Sequence, residues 1–140
     1  SGLELCERAR AGAYARLIGS DLSAEVSDIA RRNLESVGAE RFELLVGDAR
    51  SLPPPAPPTL IITNPPMGRR VHRGGMLEEL LAAFLRHAAG CLAPRGRLVW
   101  ISPLGDRSAR AAEASGLRLG ARHAIDMGGF VADLEVWHKR

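Results

Sequence analysis

The stretch Leu60–Arg70, which reads LIITNPPMGRR, decides how this chain folds. Its apolar start is typical of a buried parallel strand, and the proline pair must end that strand because proline fixes φ and donates no ladder hydrogen bond. A stiff turn therefore follows the strand, carrying the amide side chain of Asn64 and backbone carbonyls that have no neighbouring donor. Such acceptors suit the two N–H groups of an amine whose lone pair is delocalised. Hydrogen bonds from both N–H groups to these acceptors hold the amine in place for attack.

The residues Asn64-Pro65-Pro66-Met67 resemble motif IV of the class I S-adenosylmethionine (SAM) dependent amino-methyltransferases. The longer pattern Asn-Pro-Pro-x-Gly-x-Arg resembles the guanine-N2 RNA methyltransferases of the large-subunit rRNA K/L and THUMP-associated tRNA group. The resemblance implies that Asn64 and the Pro65 carbonyl accept the hydrogens of the target amine, with Pro66 and Met67 completing the catalytic loop. Met67 departs from the family, which usually has an aromatic residue there to stack on the flipped base.

Strands and helices alternate along the rest of the chain. Helical spacing of apolar residues predicts helices over residues 3–11, 23–37, 76–92 and 108–115. Strands are predicted over residues 15–21, 42–46, 59–63, 97–102, 119–126 and 130–138, the last two joined at 127–129 as an antiparallel hairpin. This order predicts an α/β fold with a doubly wound, mostly parallel sheet. The family resemblance implies the Rossmann-like class I methyltransferase fold, in which the last strand is reversed.

In that family, the first central strand leads into a glycine-rich turn that receives the methionine end of SAM. This chain begins Ser1-Gly2-Leu3, which resembles only the tail of that turn. We therefore expect a fragment of a longer protein, truncated within the SAM loop and lacking the first central strand, or one whose missing strand is supplied otherwise. Such a sheet would expose backbone edges between the two neighbours of the absent strand.

Acidic residues at the ends of the first two predicted strands are candidate SAM ligands. Asp21, with Leu22 beside it, is expected to accept hydrogen bonds from both ribose hydroxyls, although an aspartate that caps the following helix is an equal interpretation. Asp48 is expected to accept the adenine amino N–H while the Ala49 N–H donates to the ring, the alternative being a simple Asp turn. Gly2 would be a surviving glycine of the SAM loop. With Asn64, which follows the third strand, these residues are expected to line one crevice.

Composition limits the class of protein. A chain of 140 residues with 46% hydrophobic and 25% charged residues predicts one globular domain, residues 1–140, without a membrane span, and the cytoplasm is the default location. Cys6 and Cys91 stand far apart, so both are interpreted as reduced core residues, and His87, His123 and His138 as structural; no metal is expected.

The net charge of +3 favours a polyanionic partner only weakly, and coding bias is an equal explanation of the arginine-rich composition. The segment that follows the proline pair is predicted to contact substrate RNA through Gly68, Arg69, Arg70 and Arg73. The alternative is a solvated loop.

The leading hypothesis is a SAM-dependent methyltransferase that modifies an exocyclic amine of an RNA base, guanine N2 in tRNA or rRNA, and releases S-adenosylhomocysteine. The same motif also serves N-methylation of DNA adenine or cytosine, or of a glutamine side chain in protein. A third hypothesis is a catalytically inactive Rossmann-like RNA-binding or scaffold module. The first hypothesis includes an RNA-binding domain upstream in the full-length protein.

Overall fold

A computed structural model describes residues 1–66 and 75–140 of the chain. They form two compact units, Ser1–Leu52 and Pro53–Arg140, which we describe separately. No helix in these two stretches is long and apolar enough to cross a membrane.

The first unit alternates helix and strand. Its elements are α1 (Leu3–Arg10), β1 (Leu17–Asp21), α2 (Ala24–Ser36) and β2 (Phe42–Val46). The two strands are parallel, with Leu17 opposite Phe42 and Asp21 opposite Val46. Ser23 caps α2, and its Oγ accepts a hydrogen bond from the Val26 N–H at 3.3 Å. The core of this unit comprises Cys6, Leu17, Leu34 and Ala39.

The second unit contains the reversed last strand that the sequence predicts. Its elements are β3 (Leu60–Thr63), α3 (Met76–Cys91), β4 (Arg97–Ser102), α4 (Asp106–Ala114), β5 (Leu117–Asp126) and β6 (Val131–Lys139). The strand order is β3-β4-β6-β5, with β3 and β4 parallel and β6 antiparallel to both of its neighbours. The predicted hairpin between β5 and β6 is therefore confirmed, with β6 inserted between β4 and β5.

Helices α3 and α4 cover one face of this four-stranded sheet. Trp100 and Trp137, which lie in the apolar strands β4 and β6, are 1% and 0% exposed. They pack in a cluster with residues of both helices and with the start of β5, namely Leu77, Leu81, Leu85, Ala112 and Leu117. Because side chains alternate along a strand, the intervening residues of β4 and β6 lie on the opposite face.

One edge of β1 and one edge of β3 have no strand beside them within residues 1–66 and 75–140. Strand β1 pairs with β2 alone, and β3 pairs with β4 alone. The strands of the described residues thus form two separate sheets.

Two local predictions need correction. Helix α4 begins at Asp106 rather than near Ser108, because Gly105, with φ 51°, ends the preceding loop while the Ser108 hydroxyl lies 2.5 Å from that of Ser102. Cys91 is only half-buried, unlike Cys6, because it occupies the last turn of α3, where its Sγ lies 3.4 Å from His87 Nε2.

Candidate functional site

The predicted amine-holding residues follow directly from the end of β3. Thr63 is the last strand residue and pairs with Trp100 of β4, after which Asn64 and Pro66 are exposed while Pro65 is buried. The Asn64 side chain makes no hydrogen bond to any other residue in the described part of the chain. Its amide oxygen is therefore available as an acceptor beside a proline that anchors the turn in the unit.

The predictions for the rest of that loop stay predictions. Met67, Gly68, Arg69, Arg70 and Arg73 lie outside the described residues.

Asp21 ends β1 and shapes the turn into α2. Its Oδ1 accepts a hydrogen bond from the Ser23 N–H at 2.9 Å, while Ser23 itself is the N-cap. The cap interpretation of Asp21 is thus wrong in detail, since the carboxylate supports the turn before the cap. Leu22, between them, is 73% exposed, so an apolar side chain stands in solvent next to the carboxylate.

Asp48 lies beside Asp21 at the same edge of the first sheet. The Gly47 N–H donates to the Asp21 carbonyl at 2.8 Å, which joins the carboxyl ends of β1 and β2. The Asp48 carboxylate accepts hydrogen bonds from Arg50, at 3.0 Å from Nε and 2.6 Å from Nη2. This hydrogen-bonded ion pair raises the pKa of the Arg50 guanidinium. Ala49, which follows Asp48, is exposed.

Gly2 has a packing requirement of its own. Its φ is 71°, and a Cβ at this position would lie 2.8 Å from the Ala30 Cβ and 3.2 Å from the Ala30 Cα. Only glycine therefore allows α1 to begin so close to α2. This requirement stands whether or not Gly2 contacts a cofactor.

The structure brings Asp21 and Asp48 together within the first unit, whereas Asn64 belongs to the second. The expectation that all three line one crevice stays a prediction. No group of three or more His, Cys, Asp and Glu side chains suited to a metal ion occurs in residues 1–66 and 75–140.

A row of basic residues on the second sheet, Arg97, His138 and Arg118, is not apparent from the sequence. Arg97 lies opposite His138, and His138 lies opposite Arg118, so the three side chains share the face that α3 and α4 leave open. Both arginines are exposed, and neither forms an ion pair with the described residues. The His138 ring lies over Gly120, where a Cβ would be 2.6 Å from its Cδ2. Cross-strand register, which the linear sequence does not show, creates this row.

Comparison with known proteins identifies the family. Residues 3–129 match the family described as RMKL-like, methyltransferase domain. The chain belongs to this family. The resemblance inferred from the Asn-Pro-Pro loop is therefore confirmed, and it extends over most of the chain.

Relatives of this RMKL-like methyltransferase domain include two kinds of RNA-modifying enzyme. A tRNA (guanine(6)-N2)-methyltransferase from Archaeoglobus fulgidus is 36% identical over 109 residues, 77% of this chain and 27% of the relative. A ribosomal RNA large subunit methyltransferase K/L from Shewanella baltica is 39% identical over 70 residues, 49% of this chain and 9% of the relative. The chain thus spans about a quarter of the first relative and less than a tenth of the second.

Solved structures confirm the fold. TrmN from Thermus thermophilus superposes with a TM-score of 0.83 and 28% identity, covering 97% of this chain and 40% of its own. Magnesium protoporphyrin IX methyltransferase from Synechocystis, solved with bound SAM, has a TM-score of 0.74 at 17% identity, covering 96% of this chain and 64% of its own. The RMKL-like domain thus has the Rossmann-like class I methyltransferase fold.

Proposed function

We propose that this protein transfers a methyl group from SAM to the exocyclic N2 amine of guanine in tRNA or rRNA. The exposed Asn64 amide, without a hydrogen-bond partner among the described residues and set at the carboxyl end of a parallel strand before a buried proline, carries the proposal. The relative named a tRNA (guanine(6)-N2)-methyltransferase, which the chain matches over 109 residues, supports guanine N2 as the acceptor.

Asn64 and Pro65 act on the acceptor amine. The Asn64 Oδ1 accepts one N–H of the amine and the Pro65 carbonyl accepts the other, so the nitrogen is held with its lone pair free to attack. As the nitrogen forms its bond to the methyl carbon it gains positive charge, and both oxygens interact more strongly with it in the transition state than in the ground state. The methylated nitrogen is acidic and loses a proton to water, so the loop needs no strong base.

The residues around β1 and β2 hold the cofactor in this proposal. Bound SAM supplies an electrophilic methyl group on a positively charged sulfur. The Asp21 carboxylate oxygen that does not bind the Ser23 N–H accepts hydrogen bonds from the ribose hydroxyls. The exposed Leu22 side chain covers the face of the adenine ring, and Asp48 with the Ala49 N–H recognises the adenine edge. Gly2 lies at the start of α1, where a helix N-terminus favours the carboxylate of the methionine moiety.

Positive charge in the second unit suits an RNA substrate. Residues 53–140 contain twelve of the nineteen basic residues of the chain and only seven of its sixteen acidic ones. Gly68, Arg69, Arg70 and Arg73 are assigned to RNA contact directly after the acceptor loop. The proposal also includes a separate RNA-binding domain upstream in the full-length protein and a cytoplasmic location.

Asn64→Ala tests the catalytic role in the full-length protein. Transfer of a labelled methyl group from SAM to bulk tRNA and rRNA should fall about a hundredfold or more, the order found when one positioned dipole is removed from an active site. The affinity for SAM should not change, because the cofactor residues remain. Asn64→Asp keeps an acceptor oxygen and should retain more activity than the alanine variant. Activity of Asn64→Ala within twofold of the wild type would exclude the assigned role.

The nature of the product separates the proposed function from its alternatives. Hydrolysis of the labelled RNA to nucleosides, followed by mass spectrometry, should give N2-methylguanosine. Methylated adenine or cytosine in DNA, or methylglutamine in protein, would instead show that the same loop serves another amine. Tight RNA binding with no methylated product would identify a binding module.

A further inference from the structure

Four residues lie in one row across all four strands of the second sheet. Thr63 of β3 pairs with Trp100 of β4, Trp100 pairs with Glu135 of β6, and Glu135 pairs with Arg122 of β5. Residues directly opposite one another point to the same face of a sheet, here the face that α3 and α4 cover. Asn64 follows Thr63, so one end of this row lies next to the predicted acceptor loop.

Trp100 is fixed within this row from two sides. Its indole Nε1 donates to Glu135 Oε2 at 2.8 Å, and its ring stacks on Phe84 of α3, with ring centroids 6.2 Å apart and planes at 25°. Both Trp100 and Glu135 are buried, at 1% and 0% exposure. A buried, charge-assisted hydrogen bond is strong and directional, so it fixes the plane of the indole ring.

The position of Trp100 in the chain makes this constraint relevant to the acceptor loop. Strand β3 ends immediately before Asn64, and α3 is the next element that the structure describes along the chain. Trp100 pairs through its backbone with the last residue of β3, and its ring stacks on Phe84 of α3, so one residue joins the two elements on either side of the loop. A change in the orientation or position of the Trp100 ring would therefore shift the end of β3 relative to α3.

We propose that Trp100, oriented by Glu135, is a positioning residue that fixes the placement of Asn64 for methyl transfer. The inference rests on the proposed function, in which Asn64 holds the acceptor amine. Glu135 acts through Trp100 and does not touch the substrate. Because placement within a fraction of an ångström decides the rate of an oriented reaction, loss of the indole N–H should act on turnover rather than on binding.

Trp137 provides an internal control within the same network. Its Nε1 donates to the same oxygen, Glu135 Oε2, at the same distance of 2.8 Å, and it is 0% exposed. It lies, however, opposite Leu98 and Leu119 and pairs with no residue of β3. Substituting Phe at either tryptophan removes one N–H from the same acceptor while keeping an aromatic ring in the core.

The test compares Trp100→Phe and Trp137→Phe in the full-length protein. Single-turnover methyl transfer to tRNA or rRNA should slow about tenfold in Trp100→Phe, with the affinities for SAM and RNA unchanged, and should stay within twofold of the wild type in Trp137→Phe. Both variants should lose similar thermal stability. Equal loss of turnover in the two variants, or none in either, would overturn the proposal.

Amide hydrogen exchange gives a second readout that needs no catalysis. Peptides covering residues 60–66 should exchange faster in Trp100→Phe than in Trp137→Phe, because of the two tryptophans Trp100 is the one that pairs with β3. Equal exchange in both variants would contradict the positioning role even if methyl transfer were never detected. Conversely, loss of transfer in Asn64→Ala with no difference between the two tryptophan variants would keep the proposed function and refute this inference alone.

Discussion

Arg122 reaches across from β5 to one oxygen of Glu135, donating a hydrogen bond from Nε at 3.0 Å and forming an ion pair through Nη2 at 2.9 Å. Its Nη1 also donates to Asp106 at the start of α4, at 2.9 Å. The hydrogen bond to Asp106, opposed by partial burial and supported by Glu135, raises the pKa of the Arg122 guanidinium. Glu135 therefore joins two tryptophans on one oxygen to an arginine on the other, linking β4, β5 and β6.

Substitution of Glu135 should destabilise the second unit in a graded way. Glu135→Ala leaves two buried indole N–H groups without their acceptor and the Arg122 guanidinium without its buried carboxylate. The free energy of unfolding should therefore fall by about 3–5 kcal/mol. Glu135→Gln keeps a carbonyl for the indoles but places its NH₂ against Arg122, and should cost about 1–3 kcal/mol. Urea unfolding followed by tryptophan fluorescence measures both variants. Equal stability of Glu135→Ala and the wild type would show that the network contributes nothing.

Local patterns in the sequence predicted most of the elements of the fold. The bounds of β2 and β4 agree with those predicted. The glycines after Asp126 correctly indicated the turn of the hairpin between β5 and β6. Burial of Trp100 and Trp137 followed from their place in apolar strands. The burial of Glu135 could not be predicted in this way, because a glutamate in an alternating strand is typical of an exposed position. Its hydrogen bonds to Trp100 and Arg122, residues 35 and 13 positions away, and to Trp137 explain the buried carboxylate.

The candidate site shows the same division between local and distant information. Strand ends and the proline pair place Asn64, Asp21 and Asp48 from the sequence alone. The ion pair between Asp48 and Arg50 and the close approach of Gly2 to Ala30 are not apparent from the sequence. They depend on side-chain direction and on packing between helices that are distant in sequence.

Asp21→Asn separates the cofactor role of Asp21 from its role in the turn. Asparagine keeps the oxygen that accepts from the Ser23 N–H, so the free energy of unfolding should change by less than about 0.5 kcal/mol. Loss of the charge should raise the Kd for SAM about tenfold, since charge-assisted hydrogen bonds are roughly twice as strong as neutral ones. Calorimetric titration of the full-length protein with SAM checks this. Asp28→Asn, on the exposed side of α2, is the matched control. An unchanged Kd in Asp21→Asn would remove Asp21 from the site.

The Cys91 thiol should make stability fall at alkaline pH. Burial raises the pKa of this thiol, and the charge of Lys139 opposes that effect. The thiol then stays protonated in the folded protein at a pH where it ionises in the unfolded chain. Its contribution to stability is complete below the ordinary thiol pKa of about 8.5 and is lost as pH rises through the higher folded value. Guanidinium unfolding between pH 7.5 and 10 should show a steeper decline in the wild type than in Cys91→Ser. Parallel curves would contradict the assigned shift.

The row Arg97–His138–Arg118 should contribute to RNA affinity by binding phosphates. Arg97 pairs with Leu60, four residues before Asn64, so the row begins roughly 13 Å from the acceptor loop along β3 at about 3.3 Å per residue. That distance is short enough for one RNA molecule to reach both.

The double variant Arg97→Ala/Arg118→Ala tests this role by the dependence of binding on salt. Each phosphate that the protein no longer neutralises should flatten the plot of log K against log[KCl] by about 0.7–0.9, so two such phosphates flatten it by about 1.5. Fluorescence anisotropy with labelled bulk tRNA at 50–200 mM KCl measures the slope. The matched control is Arg86→Ala/Arg110→Ala, which removes two exposed arginines from α3 and α4, on the other side of the sheet. The control should leave the slope nearly unchanged. Equal slopes for the two double variants would show that only the net charge of the protein matters, whereas a selective change in the first would assign the open face of the sheet to RNA.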